Sequence, residues 1–115
     1  FSECPIEIKS TRAREGIPQH YIDQLGFYCV LAMADTCFLI VQRLTNWKEP
    51  WEFWKITFTQ EEAKEYYRKL VERRDLLREA YSGDPSVLPK AFYDWKCRSC
   101  QYREECRRLD ESSSR

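Results

Sequence analysis

"PIEIKSTRAREGIPQHYIDQLGFYCVLA", residues 5–32, joins two periodicities within a few turns of chain. Residues 4–9, CPIEIK, alternate apolar and polar positions, which predicts a strand with Ile6 and Ile8 on one face and Glu7 and Lys9 on the other. Ser10, Gly16 and Pro18 fall among charges, so residues 10–18 are predicted to form a loop. From 19 to 33 the period changes: Ile22, Leu25, Cys29, Ala32 and Met33 follow helical spacing, with Pro18 suitably placed at the start. His20, Gln24 and Tyr28 step by four and therefore share one helix face.

Outward from that unit, TCFLIVQRL (36–44) is rich in β-branched and aromatic residues and apolar on both faces, as in an interior strand. WEFWKITF (51–58) follows a turn and is predicted to pair antiparallel with it. Thr59 and Glu62 form a capping-box pattern opening a long helix, with an apolar stripe through Ala63, Tyr66, Leu70, Val71, Leu77 and Tyr81. Gly83 and Pro85 stop that helix. A cysteine-bearing segment follows, and then a serine-rich tail expected to fray. The order predicts a mixed α/β layer arrangement with a small appendage.

The 115 residues suffice for one modest core, and 19 basic side chains balance 19 acidic ones, so net charge selects no partner. Nothing resembles a membrane span or a secretory signal, so a soluble, cytoplasmic chain without a membrane partner is expected. An opening on Phe1, next to a strand, predicts that an N-terminal part of the domain, or another chain, completes it.

Glu7 and Lys9 project from one face of their strand about 7 Å apart at the root. A carboxylate there, helped by the Ile8 carbonyl, can hold a Mg²⁺ or Mn²⁺ ion. The adjacent ammonium can stabilise charge building on a phosphate. Taken alone, Glu-x-Lys reads first as a surface ion pair on a half-exposed strand. Gln24 and Tyr28 can hydrogen-bond a lysine, a phosphate or a base edge, and Arg12 and Arg14 in the loop can meet a nucleic-acid backbone.

Of six cysteines, Cys29 and Cys37 lie in apolar runs and read as core. Cys97, Cys100 and Cys106 are spaced as metal ligands, for an iron–sulfur cluster or for zinc, and need a fourth ligand from elsewhere. Cys4 is a poor match for it. Arg98, Arg103, Arg107 and Arg108 surround these thiols, to offset cluster charge, touch DNA or simply face solvent. Trp47, Trp51, Trp54 and Trp95 read either as hairpin and core cover or as a stacking platform for single strands.

PIEIKST, a short basic loop and QLGFY together resemble the RecB-type branch of the PD-(D/E)XK nucleases, with E-x-K on a strand and Q-x-x-x-Y on the next helix. With CRSCQYREEC near the end, the chain is similar to the CRISPR-associated iron–sulfur exonucleases of that branch. The resemblance implies a restriction-endonuclease-like mixed sheet flanked by helices, with residues 1–90 as the C-terminal portion of the nuclease core and 91–115 as the cysteine-rich segment. It implies a divalent-metal-dependent exonuclease on single-stranded DNA ends, with a Cas1-type integrase as partner. Glu7 would bind metal, Lys9 would be the catalytic lysine, Gln24 and Tyr28 would complete the site, and the three cysteines would hold a 4Fe–4S cluster. The family's histidine and metal-binding aspartate precede E-x-K. Six residues precede Glu7 here; Glu3 is too close to replace the aspartate, and His20 follows the strand. The alternative expectation is a non-catalytic nucleic-acid-binding module with a structural metal.

Overall fold

The structure, a computed structural model, describes residues 3–88 and 91–113. The expected boundary at residues 90–91 abuts Pro89 and Lys90, which lie outside the described residues, as do Phe1, Ser2, Ser114 and Arg115. The elements are β1 (Ile6–Thr11), α1 (Gln19–Ala32), β2 (Thr36–Arg43), β3 (Trp51–Thr57) and α2 (Gln60–Ser82), then a 3₁₀ turn (Pro85–Val87), α3 (Asp94–Arg98) and α4 (Arg103–Ser113). The chain is mixed α/β, with a three-stranded sheet in the order β1-β2-β3. Two compact units divide it, Phe1–Leu70 and Val71–Arg115.

In the first unit β1 and β2 run parallel, joined by α1, and β2 and β3 run antiparallel across a short turn. Thr36–Arg43 is the central strand, as its apolar run predicts, and carries the core on one face: Cys37, Leu39 and Val41 are buried, with Leu25 and Cys29 of α1 and Phe58 and Tyr66 beyond β3. Helix α1 ends where Met33 takes a left-handed conformation at φ 54°, letting Ala34 N–H reach the Cys29 carbonyl at 2.9 Å. The capping box forms as predicted: Glu62 N–H donates to Thr59 Oγ1 at 3.1 Å, and Thr59 N–H to Glu62 Oε1 at 2.9 Å.

Three expectations need correction. First, β1 extends to Thr11, because the ladder with β2 continues to the pair Thr11–Arg43 and consumes the first two residues of the expected loop. Second, the apolar stripe of α2 is covered only in part: Ala63, Leu70 and Val71 are half-buried. Tyr66 is the buried residue of that helix, whereas Leu77 is half-exposed and Tyr81 is 94% exposed. A 23-residue helix is far longer than the short strands it starts beside, so periodicity alone does not provide a surface for its far end. Third, α4 runs on to Ser113, so the start of the serine-rich tail is helical, while its last residues, Ser114 and Arg115, lie outside the described residues.

Gly26 permits the close approach of α1 and α2. A Cβ at this position would fall within clashing distance of Tyr66 Cε2, on a ring that Phe27 and Phe58 flank edge-on at 5.1 and 5.5 Å and whose hydroxyl donates to Asp23 at 2.9 Å. The ring has nowhere to move. Gly26→Ala is therefore expected to destabilise the fold by about 2 kcal/mol, read as a lowered urea midpoint with an unchanged m value.

Candidate functional site

Parallel pairing in register puts cross-strand neighbours on the same face. Glu7 pairs with Leu39 and Lys9 with Val41, both buried under α1, so the charged pair of β1 points to the helix-covered side. Ile6 and Ile8 point the other way and are 64% and 61% exposed. Period-two alternation is as the sequence requires; the face that meets the helix is the charged one.

On that face Lys9 Nζ lies 3.7 Å from Glu7 Oε1, with about a quarter of each side chain exposed. The pair is half-sheltered rather than open to bulk water, which strengthens its mutual attraction. The helix residue that reaches it is Tyr21. Its ring lies under Lys9 Nζ at 5.4 Å, and its hydroxyl donates to the Ser10 carbonyl at 3.2 Å. Tyr21 went unread in the sequence; its spacing is the available signal, since Gln24 and Tyr28 follow at three and seven residues on the same face. Gln24 Nε2 donates to the Tyr28 hydroxyl at 2.6 Å, so amide and phenol form one hydrogen-bonded unit. His20 meets the Tyr21 ring edge-on at 4.6 Å.

The Ile8 carbonyl also has a defined direction. Carbonyls alternate along a strand, and those of Pro5 and Thr11 accept from Phe38 and Leu44 on the β2 side. The carbonyls of Ile6, Ile8 and Ser10 therefore face the free edge of β1, where Ser10 takes the Tyr21 hydroxyl. One carboxylate, with a carbonyl from the adjacent residue on an open edge, is a donor set that Mg²⁺ accepts when water and phosphate oxygens supply the rest.

Arg12 and Arg14 are exposed on the loop after β1. That loop is held from beneath by Arg43, which is 3% exposed and donates to the carbonyls of Ala13 at 3.1 Å and Gly16 at 2.7 Å while pairing with Glu52. Gly16 has φ 75°, a left-handed turn that suits glycine. Arg43 also went unread, although alternation from Cys37, Leu39 and Val41 carries it to the buried face. The guanidinium holds the Glu52 carboxyl below the ordinary carboxylate range.

The cysteines divide as expected in one respect. Cys29 and Cys37 are buried; burial, and then the Cys29 thiol beside it, push Cys37 up to about 12, while burial raises Cys29 against the opposing pull of its hydrogen bond with Cys37. Cys97 and Cys100 are exposed and Cys106 half-buried, all as free thiols. Among the described residues no group of three or more His, Cys, Asp or Glu side chains is arranged to hold a metal ion. Free thiols at Cys97 and Cys100 are expected to react with a maleimide in the native protein, and Cys29 and Cys37 only after unfolding, counted by mass spectrometry. Joint protection of Cys97 and Cys100 with visible absorption and recovered iron would instead mark an iron–sulfur cluster.

Among the described residues no helix is long and apolar enough to cross a membrane. The tryptophans are not core: Trp47 is 95% exposed, and Trp51, Trp54 and Trp95 are about half-exposed. An open groove of about 940 Å³ lies elsewhere in the first unit, bounded by Cys4, Met33, Asp35, Thr59, Lys64 and Tyr67. It contains none of Glu7, Lys9, Gln24 or Tyr28. No family model, curated protein or solved structure matches the chain.

Proposed function

We propose that the chain carries part of a metal-dependent nuclease site acting on single-stranded DNA ends, in a restriction-endonuclease-like core. The observation that carries this reading is the Glu7–Lys9 pair, turned to the helix-covered face and met there by Tyr21. A purely structural ion pair has no need of a half-sheltered position beside a free strand edge.

In this reading the Glu7 carboxylate and the Ile8 carbonyl would hold Mg²⁺ or Mn²⁺, which supplies Lewis-acid activation of water and neutralises charge on the scissile phosphate. Lys9 sits over the Tyr21 ring, which limits the ammonium's freedom, and donates to a non-bridging phosphate oxygen as negative charge builds there. Gln24 and Tyr28, bonded to each other, share the helix face of Tyr21 and would complete the site with an amide and a phenol. Arg12 and Arg14 bind flanking phosphates, so affinity should fall steeply with salt. Water adds to phosphorus, the P–O bond to the leaving oxygen breaks, and that oxygen leaves as a hydroxyl.

End-labelled single-stranded DNA incubated with the chain and Mn²⁺ or Mg²⁺ tests the reading. Progressive shortening that EDTA abolishes supports it; intact DNA under all metal conditions overturns it. A second reading, a nucleic-acid-binding module without chemistry, is favoured by one observation: the Glu7 carboxylate is already paired with Lys9. Binding of single-stranded DNA without cleavage would select that reading.

A further inference from the structure

The face of the sheet turned away from α1 is a grid of three strands by three rows. The pairing registers give the rows Ile6–Phe38–Lys55, Ile8–Ile40–Phe53 and Ser10–Gln42–Trp51. Six of these nine side chains are large and apolar. Ile6, Ile8 and Phe53 are 64%, 61% and 77% exposed, Trp51 is half-exposed, and Phe38 is 39% exposed. The three polar residues occupy the two outer rows, where Ser10 Oγ donates to Gln42 Oε1 at 3.0 Å. A strand with one solvated face normally turns polar residues outward, and parallel strands are normally covered on both faces; β1, paired in parallel with β2, turns isoleucines outward and charges inward. Scattered apolar residues on a surface are ordinary, but a contiguous patch of this kind marks an interaction face.

We propose that this face is a homodimer interface, covered by the same face of a second copy of the chain. Area is the first argument. The exposed side chains offer roughly 700 Å² from each copy, close to the ~800 Å² per partner of a standard stable interface. Composition is the second: an aliphatic and aromatic middle row with polar groups confined to the outer rows matches a desolvated centre with a wetter rim.

Self-complementarity is the third. A two-fold axis lying between the sheets, across the strands at Ile40, stacks Ile8–Ile40–Phe53 on the same row of the second copy. The same operation lays the Lys55 ammonium over Trp51 of the second copy, a cation on an aromatic face, and lays Phe38 against the Gln42 stem. Two sheets packed this way interdigitate about 10 Å apart. The inference is independent of the nuclease reading, because Glu7 and Lys9 lie on the opposite face.

Sedimentation of the full chain at tens of micromolar tests the proposal. The expected mass is twice the 13.9 kDa of one chain. Phe53→Lys places two ammonium groups at the centre of the interface and is expected to weaken dimerisation by at least about thirtyfold, with the far-UV circular dichroism of the wild type. Ile8→Lys, on the edge strand, is the second variant should Phe53→Lys lose its fold. Trp47→Lys, on the β2–β3 connection and off this face, is expected to leave the dimer intact. A wild-type monomer, open-ended aggregation without a discrete dimer, or a dimer that survives both lysine variants would each overturn the proposal. A monomer that associates through this face only with a different polypeptide overturns it equally.

Discussion

Lys9→Ala is expected to lower metal-dependent degradation of single-stranded DNA by about 10²- to 10³-fold, the range for losing one preorganised group that meets developing charge. The ammonium is not required by the core: it is a quarter exposed, and its contacts are Glu7 at 3.7 Å and the Tyr21 ring. Its removal therefore leaves the fold in place, and an unchanged thermal midpoint should accompany the lost rate. Glu7→Gln is expected to lose at least as much, because it removes the carboxylate assigned to the divalent ion. The paired assays separate chemistry from binding. DNA affinity in the absence of metal should change only a few-fold in either variant, whereas Arg12→Ala with Arg14→Ala should weaken affinity and flatten its salt dependence. Wild-type rates in Lys9→Ala would remove the basis of the nuclease reading.

Arg43→Met is expected to destabilise the first unit by about 3 kcal/mol, the scale for removing one buried charged donor from several acceptors. Its guanidinium is 3% exposed and serves two loop carbonyls and Glu52 together. A change of that size corresponds to a fall in Tm of more than 10 °C for a domain of this length. Amide hydrogens of residues 12–17 should exchange faster than those of α1, since that loop loses its anchor while the helix retains its core.

The pH dependence has a definite sign. Arg43 lowers the Glu52 carboxyl from its ordinary value of 4.5, so the pair's contribution is complete above that pH and is lost as acid protonates the folded state. In Arg43→Met this acid-limb dependence should flatten. At the other end Cys37, raised from 9.0 to about 12, contributes stability that is complete below pH 9 and fades as pH rises toward 12.

How much was legible varies by element, and for physical reasons. Strong periodicity and local chemistry located the elements: alternation in β1, the apolar run of β2, the Thr59–Glu62 capping box and the Gly83 stop. Gln24 and Tyr28 were recognisable as one helix face because spacing by four is a local property, and their hydrogen bond follows from it. Tyr21 was missed because its partner, Lys9, lies on another element. Arg43 was missed because an arginine ending a strand ordinarily reaches solvent. The stripe of α2 was legible as a pattern but its uneven cover, from buried Tyr66 through half-buried Leu70 and Val71 to exposed Tyr81, was not, because amphipathic spacing tells which side of a helix is apolar and not how much lies against it.

The sequence by itself determined that Glu7 and Lys9 share one face of a strand and Ile6 and Ile8 the other, since a pleated backbone permits nothing else. Only the tertiary structure decided which face the helix covers. Because β1 pairs in parallel register with β2, whose buried row is Cys37, Leu39 and Val41, the charged residues turn inward beside that row and the isoleucines turn outward. Strand pairing is a long-range choice, made by where Leu25 and Cys29 of α1 pack, and six residues of alternating polarity carry no record of it.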